Sequence, residues 1–370
     1  MQRERKPDYT DRLDVPARIK GRGAPSNPAG RFESLVRTRE DDGWMHDDEP
    51  EPRPDTIVTE ERARTIISHN DSPDIHFTSS INPYRGCEHG CIYCYARPSH
   101  GYLNLSAGID FETKLFAKTN AAELLRKELA KPAYICSPIN LGANTDPYQP
   151  IERRYRVTRS VIEVLAEHEH PLTIVTKNAL VERDIDLLAP MAKKNLVHVF
   201  VSVTSLDNRL ASTLEPRASA PHRRLKAVET LNAAGIPCGV MVAPIIPMVT
   251  DRWLERILES AALSGARAAG YTIVRLPYEL KDLFREWLSL HVPERAAHVM
   301  SLIQQMRGGR DNDPEFGSRM RGQGEFAELI RQRFRLAARK HGINQTRSVQ
   351  LDTSQFRVPE AASPQGRLFG

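Results

Sequence analysis

The stretch Ser80-Ile-Asn-Pro-Tyr-Arg-Gly-Cys87-Glu-His-Gly-Cys91-Ile-Tyr-Cys94-Tyr-Ala96 places three thiols within eight residues, punctuated by Gly86 and Gly90. They are three of only five cysteines in 370 residues, too few for a disulfide framework. Thiolates on a glycine-broken loop can converge on one point, and soft sulfur selects zinc or an iron–sulfur cluster. A structural zinc site closes its tetrahedron with a fourth ligand. His89 and His100 are near, but neither continues a standard zinc spacing. Three cysteines are better suited to a four-iron cluster that leaves one iron open to a small molecule.

Outward from this loop, short apolar runs alternate with amphipathic ones. Phe77–Ile81, Tyr134–Ser137, Leu172–Thr176, Val197–Val203, Cys238–Ala243 and Tyr271–Val274 read as strands. Most are nearly continuous in Val, Ile and other apolar residues, as parallel strands buried on both faces are. Between them, Ala121–Ala130, Val157–Glu169, Glu182–Lys194, Pro221–Ala234 and Trp253–Ser264 read as helices. That alternation predicts an α/β fold whose strand C-termini share one face, where loops build the site. Six βα units fall short of the eight that close a barrel, so an open, partial (β/α)6 barrel is expected over residues 77–292.

The flanks differ in composition. Residues 1–76 read as a mobile, charged, proline-containing extension, with seven acids between Glu40 and Glu51 and with Phe32 and Trp44 as anchors. Residues 293–350 read as a basic helical segment: from Arg319 to Arg347 eight Lys/Arg face two acids, a net of +6. Within it Glu325–Lys340 is amphipathic, with Phe326, Leu329, Ile330, Phe334 and Ala337 on one face and Arg331, Arg335 and Arg339 on another. Residues 351–370 read as a flexible tail. The longest apolar run, Ile236 to Val249, has 14 residues and three prolines, short of the ~20 that span a membrane. No apolar h-region follows the N-terminus, so a cytoplasmic protein is expected. The overall charge of +5 selects no partner by itself.

The Cys-x-x-x-Cys-x-x-Cys spacing, with Tyr93 before the third cysteine, resembles the signature of the radical S-adenosylmethionine (radical SAM) enzymes. The wider stretch Ser80–Ala96 looks like their spore photoproduct lyase-related branch, and the likeness runs from about Phe77 to Leu290. It implies a [4Fe-4S] cluster on Cys87, Cys91 and Cys94, with S-adenosylmethionine chelating the open iron. It also implies an external one-electron donor of flavodoxin or ferredoxin type, and a 5′-deoxyadenosyl radical that abstracts hydrogen from substrate. Carried over by position, Thr145 and Asp146 would bind the methionine ammonium, and Lys177 and Ser202 the carboxylate and ribose. Val242–Pro247 would supply apolar backbone for the adenine. Tyr93 and Tyr95 match tyrosines linked to radical relay. One departure stands out: the lesion lyases carry a hydrogen-donating cysteine where this chain has Ala143. Cys136, in the predicted second strand, is the substitute donor to consider, although buried cysteine usually behaves as a small hydrophobe.

The resemblance points to a lyase-like reaction on a DNA or RNA lesion or modified base, as in DNA repair. Arg217, Arg223 and Arg224, just after the fourth strand, could grip phosphates, and the basic Arg319–Arg347 segment fits a nucleic-acid backbone. Gln365-Gly-Arg-Leu-Phe369 resembles the short peptide by which bacterial repair proteins grip the sliding clamp. Two other readings stay open: radical chemistry on a protein or small molecule, and a non-enzymatic nucleic-acid-binding module stapled by iron–sulfur or zinc.

Overall fold

A computed structural model describes residues 16, 18–32, 54–345 and 350–359. Trp44 and the Gln365–Phe369 peptide lie outside the described residues. The strands, in chain order, are β1 (Ile57–Glu61), β2 (Ile67–His69), β3 (Ser79–Ile81), β4 (Tyr84–Arg85) and β5 (Lys114–Lys118). They continue as β6 (Ile139–Leu141), β7 (Leu172–Thr176), β8 (Val197–Ser202), β9 (Cys238–Ile245) and β10 (Ala269–Ile273).

The core is a seven-stranded sheet of order β10-β9-β8-β7-β6-β3-β2. All neighbours pair in parallel except β2, which joins the β3 edge antiparallel. Its six parallel strands are the six that the βα alternation implies. Ile139, Leu141, Leu172, Ile174, Val199, Val201 and Val240 are fully buried in it. Each such side chain contributes about 1.5–3 kcal/mol, which explains why these runs are apolar throughout. Helices Ala121–Leu129, Val157–Glu167, Ile185–Lys193, Pro221–Ala233 and Leu254–Leu263 form the crossovers. Among the described residues β10 and β2 stand at the edges of the sheet.

One expected strand is displaced. Tyr134–Ser137 is not a strand; β6 begins at Ile139, directly after Pro138. A proline has no N–H to donate to a ladder, so pairing starts beyond it. Ahead of it Tyr134 turns aside, its hydroxyl 2.7 Å from His170 Nε2 and its ring against Phe356. Ile135 is left exposed.

Within residues 1–76, β1 pairs in parallel with β5 in a small second sheet, β1-β5-β4. Arg22 to Ser26 are buried against the segment around Glu112, whose carboxylate accepts from the Gly23 and Ala24 N–H groups at 3.0 and 2.8 Å. Phe32 is half exposed and rests on Tyr102. At the other end, the helix Gly324–Lys340 packs on Leu254–Leu263 beside β10. Ile330, Phe334 and Ala337 are buried as their spacing implies, whereas Leu329 is exposed. Arg333 fixes the crossing through ion pairs to Glu255 and Asp251.

Candidate functional site

The cysteine loop follows β3 of the parallel sheet by way of β4, which belongs to the small second sheet. Gly86 and Gly90 have φ of +72° and +68°, a region that side chains rarely adopt. A Cβ on Gly90 would also sit 2.6 Å from a Glu112 carboxylate oxygen. The loop is then fixed by its own turns: the Gly90 N–H donates to the Cys87 carbonyl and the Cys94 N–H to the Cys91 carbonyl. From behind, the fully buried Arg97 guanidinium donates to the carbonyls of Cys91, Ala107 and Gly108 and pairs with Glu112. A buried arginine whose donors are spent on main-chain carbonyls is a brace for the loop.

The thiols of Cys87, Cys91 and Cys94 are free, the first two buried and the third partly so. Burial pushes all three up from the ordinary thiol range, and in Cys87 the neighbouring Asp146, Cys91 and Cys94 add to it. Thiols raised in this way by burial favour the deprotonated form only when a cationic metal centre joins them. Among the described residues, no three His, Cys, Asp or Glu side chains are gathered tightly enough to hold a single ion. Three thiolates on one loop supply three of the four irons of a [4Fe-4S] cluster and leave the fourth open, so the chemistry of the donor set fits such a cluster.

Around the loop, the strand C-termini deliver a connected set of polar groups. Beyond β6, Asp146 accepts from Tyr148 N–H (2.9 Å), Thr176 Oγ1 (2.7 Å) and Lys177 N–H (2.7 Å), and lies 3.3 Å from His89 Nδ1. A carboxylate has about four acceptor positions, and these are filled from within. Burial would raise its pKa, but His89, Thr176 and the Lys177 N–H together hold it low. Asp146, which the resemblance assigns to the methionine ammonium, thus also braces β6 against β7. Thr145 is similarly engaged, its hydroxyl donating to the Tyr84 carbonyl at 3.0 Å.

Lys177, after β7, reaches across to the Ala243 carbonyl at 3.2 Å. Its Nζ also lies 4.0 Å from Glu215 and 5.7 Å from the Tyr93 ring centroid. Ser202 is buried at the end of β8, where its carbonyl accepts from Arg224 at 3.1 Å. The Tyr93 hydroxyl donates to Glu215 and lies 3.3 Å from Thr204 Oγ1. Tyr95, on the exposed side, donates to the Ala143 carbonyl, with the Arg275 guanidinium 5.5 Å from its ring centroid.

Cys136 is not brought to this group. With β6 starting at Ile139, it precedes the strand and so lies at the N-terminal end, opposite the cysteine loop. The expected phosphate grip also dissolves. Arg224 is buried and paired with Glu215, Arg217 pairs with Glu88 at 2.9 Å, and Arg223 pairs with Glu182 at 3.3 Å. Glu215 was the residue missed on the sequence. Its signal was faint: one acid, nine residues before Arg224, across the start of a helix. Burial would raise its carboxyl, but Arg224 and Lys177 overcome that and hold it down to about 2.

Residues 81–261 match the family model of the radical SAM superfamily. An uncharacterized protein of Mycobacterium tuberculosis is 38% identical over 230 residues, which are 62% of this chain and 68% of that protein. The chain belongs to the radical SAM superfamily. Another uncharacterized protein, from Methanocaldococcus jannaschii, is 29% identical over 171 residues, 46% of this chain and 61% of that one. Among solved structures, spore photoproduct lyase complexed with dinucleoside spore photoproduct is similar, with a TM-score of 0.55 at 18% identity. The match covers 77% of this chain and 80% of the lyase, and at that identity it shows the fold. A mutant of the same lyase with bound AdoMet and dinucleoside spore photoproduct matches equally well, with a TM-score of 0.55 at 19% identity over 77% and 80% of the two chains. Radical SAM proteins are enzymes that use a [4Fe-4S] cluster and S-adenosylmethionine and need an external electron donor, so the reading as a mere metal-stapled module falls. Among the described residues no helix is long and apolar enough to cross a membrane.

Proposed function

We propose that Cys87, Cys91 and Cys94 hold the cluster of this radical SAM enzyme and that its substrate is a lesion or modified base in DNA or RNA. The observation that carries the first half is the gathering of three free thiols, two buried and one partly so, on one loop at the sheet end to which Lys177, Ser202 and Tyr93 also come. Bound together, cluster and S-adenosylmethionine supply a one-electron reductive cleavage that ends in hydrogen abstraction from substrate.

The chain's own residues prepare that site. Lys177, a cation at the mouth of β7, attracts the cofactor's carboxylate and is aimed by the Ala243 carbonyl. Ser202 lies one strand further for the ribose. Asp146 and Thr145 act as positioning residues, because their bonds set where Lys177 and the loop after β6 stand. Tyr93 closes the inner wall through Glu215, and burial there keeps water from the reacting atoms. Tyr95 and Ala143 form the outer wall. Since Ala143 replaces the donor cysteine of the lesion lyases and Cys136 lies at the far end of β6, hydrogen is not returned to the substrate from either position.

The nucleic-acid half rests on the shared fold with spore photoproduct lyase and on the exposed Arg331, Arg335 and Arg339. Its test is to incubate the reconstituted, reduced enzyme with perdeuterated DNA or RNA and follow deuterium into 5′-deoxyadenosine by mass spectrometry. Transfer from nucleic acid supports the reading. Transfer only from a protein or small-molecule fraction would move the substrate to that class.

A further inference from the structure

We propose that the groove between edge strand β10 and the helix Gly324–Lys340 binds the phosphodiester backbone of a nucleic-acid strand, away from the cysteine loop. For the identity of its partner this deepens, and rests on, the nucleic-acid reading above. The groove has a volume of about 620 Å³. Four arginines line it, Arg321, Arg331, Arg335 and Arg339, against the single carboxylate of Glu328, which already pairs with Arg331. Among the described residues, Arg321, Arg335 and Arg339 make no ion pair, and all four guanidinium side chains are exposed.

The helix arginines recur every four residues, a step of about 6 Å along the axis. A row of cations at that interval suits a polymer with one negative charge per unit better than it suits a single small anion.

The groove floor points to a ligand independently of the arginines. Tyr271 is only 6% exposed, yet its hydroxyl is buried with no hydrogen-bond partner, and Arg321 lies 5.2 Å from its ring centroid. A buried hydroxyl is normally satisfied, so an acceptor oxygen entering the groove would complete it. The strand edge adds a second opening. Asn344 caps both main-chain groups of Ala269 at 2.9 Å, and the Ile273 N–H donates to the Met320 carbonyl at 2.9 Å. Strand alternation turns the main chain of Tyr271 to that same outer edge, between the two caps, with no partner among the described residues. The groove is also joined to the site: Met320, beside Arg321, contacts Arg275, which lies over Tyr95.

The test is fluorescence anisotropy of the full chain with a labelled single-stranded oligonucleotide across a salt series. Arg331→Gln/Arg335→Gln/Arg339→Gln should lower the slope of log K against log salt by about 2, at ~0.7 per lost phosphate contact, and weaken binding roughly a hundredfold at 0.1 M salt. A charge-matched control, Lys131→Gln/Arg153→Gln/Lys193→Gln, should change the slope little. Tyr271→Phe, which removes one hydroxyl and leaves the helix intact, should weaken binding severalfold even if the triple variant folds poorly. An unchanged slope in the groove variant, an equal loss in the control, or a wild type that binds no oligonucleotide overturns the proposal. Groove-dependent binding without deuterium transfer from nucleic acid would uphold the groove and sink the substrate reading. Transfer that survives in a groove variant with wild-type affinity would do the reverse.

Discussion

The Glu215 carboxylate and the Arg224 guanidinium form a fully buried ion pair, and the Tyr93 hydroxyl, beside the third cysteine, is bound to the same carboxylate. The cysteine loop is thus anchored to the sheet by charge. Removing one partner of such a pair leaves the other buried and uncompensated. Glu215→Gln should therefore lower stability by about 3–5 kcal/mol in urea unfolding, whereas Glu215→Leu/Arg224→Met should recover most of it. Equal loss in both variants would mean that packing, not charge, holds the loop.

The cysteines divide into two groups by position. Cys91→Ala should prevent stable uptake of iron and sulfide on anaerobic reconstitution, read as iron content and visible absorbance. Cys136→Ser should load like the wild type, because Cys136 lies at the other end of β6. A Cys136 variant that fails to load would place that thiol at the cluster after all.

Lys177 is a cation whose side chain is positioned by one carbonyl and faces one carboxylate. Lys177→Met should weaken S-adenosylmethionine binding to the loaded enzyme by about 10–100-fold, the worth of a charged hydrogen bond. Calorimetric titration checks this, and unchanged affinity would remove Lys177 from the cofactor pocket.

Histidine 170 gives the fold a pH dependence. Its Nδ1 lies 2.9 Å from the Pro171 carbonyl and so carries the proton, which leaves Nε2 to accept from Tyr134. Burial drives its pKa from 6.5 down to about 4. The unfolded chain then binds the extra proton first, so this stability is complete above pH 6.5 and is lost as pH falls towards 4. The loss amounts to about 3 kcal/mol at 1.36 kcal/mol per unit. Unfolding midpoints from pH 7.5 to 4.5 should fall less steeply in His170→Asn than in the wild type; parallel curves would contradict the assignment.

Much of this was legible in the chain because parallel strands buried on both faces must be apolar throughout. Leu172–Thr176 and Val197–Ser202 could be read almost to the residue for that reason. Tyr134–Ser137 misled because four residues with strand-like composition were followed by a proline that delays pairing. At the site, cysteine spacing announces itself locally, since all three ligands lie on one loop. The Glu215–Arg224 pair and the engagement of Asp146 by Thr176 and Lys177 do not. Those contacts join residues that only the folded sheet brings together, and no periodicity encodes them. Arg224 shows the cost: read as an exposed phosphate grip, it is a buried counter-ion.

The central claim is that the Cys87–Cys94 loop carries a cluster that cleaves S-adenosylmethionine by one-electron reduction. The most direct measurement is anaerobic reconstitution with iron and sulfide, reduction with dithionite, and quantitation of methionine and 5′-deoxyadenosine by liquid chromatography. The wild type should form the two products in equal amounts, and Cys91→Ala should form neither. A protein that takes up four irons yet never cleaves the cofactor, or a Cys91→Ala variant that cleaves it at the wild-type rate, would contradict the claim.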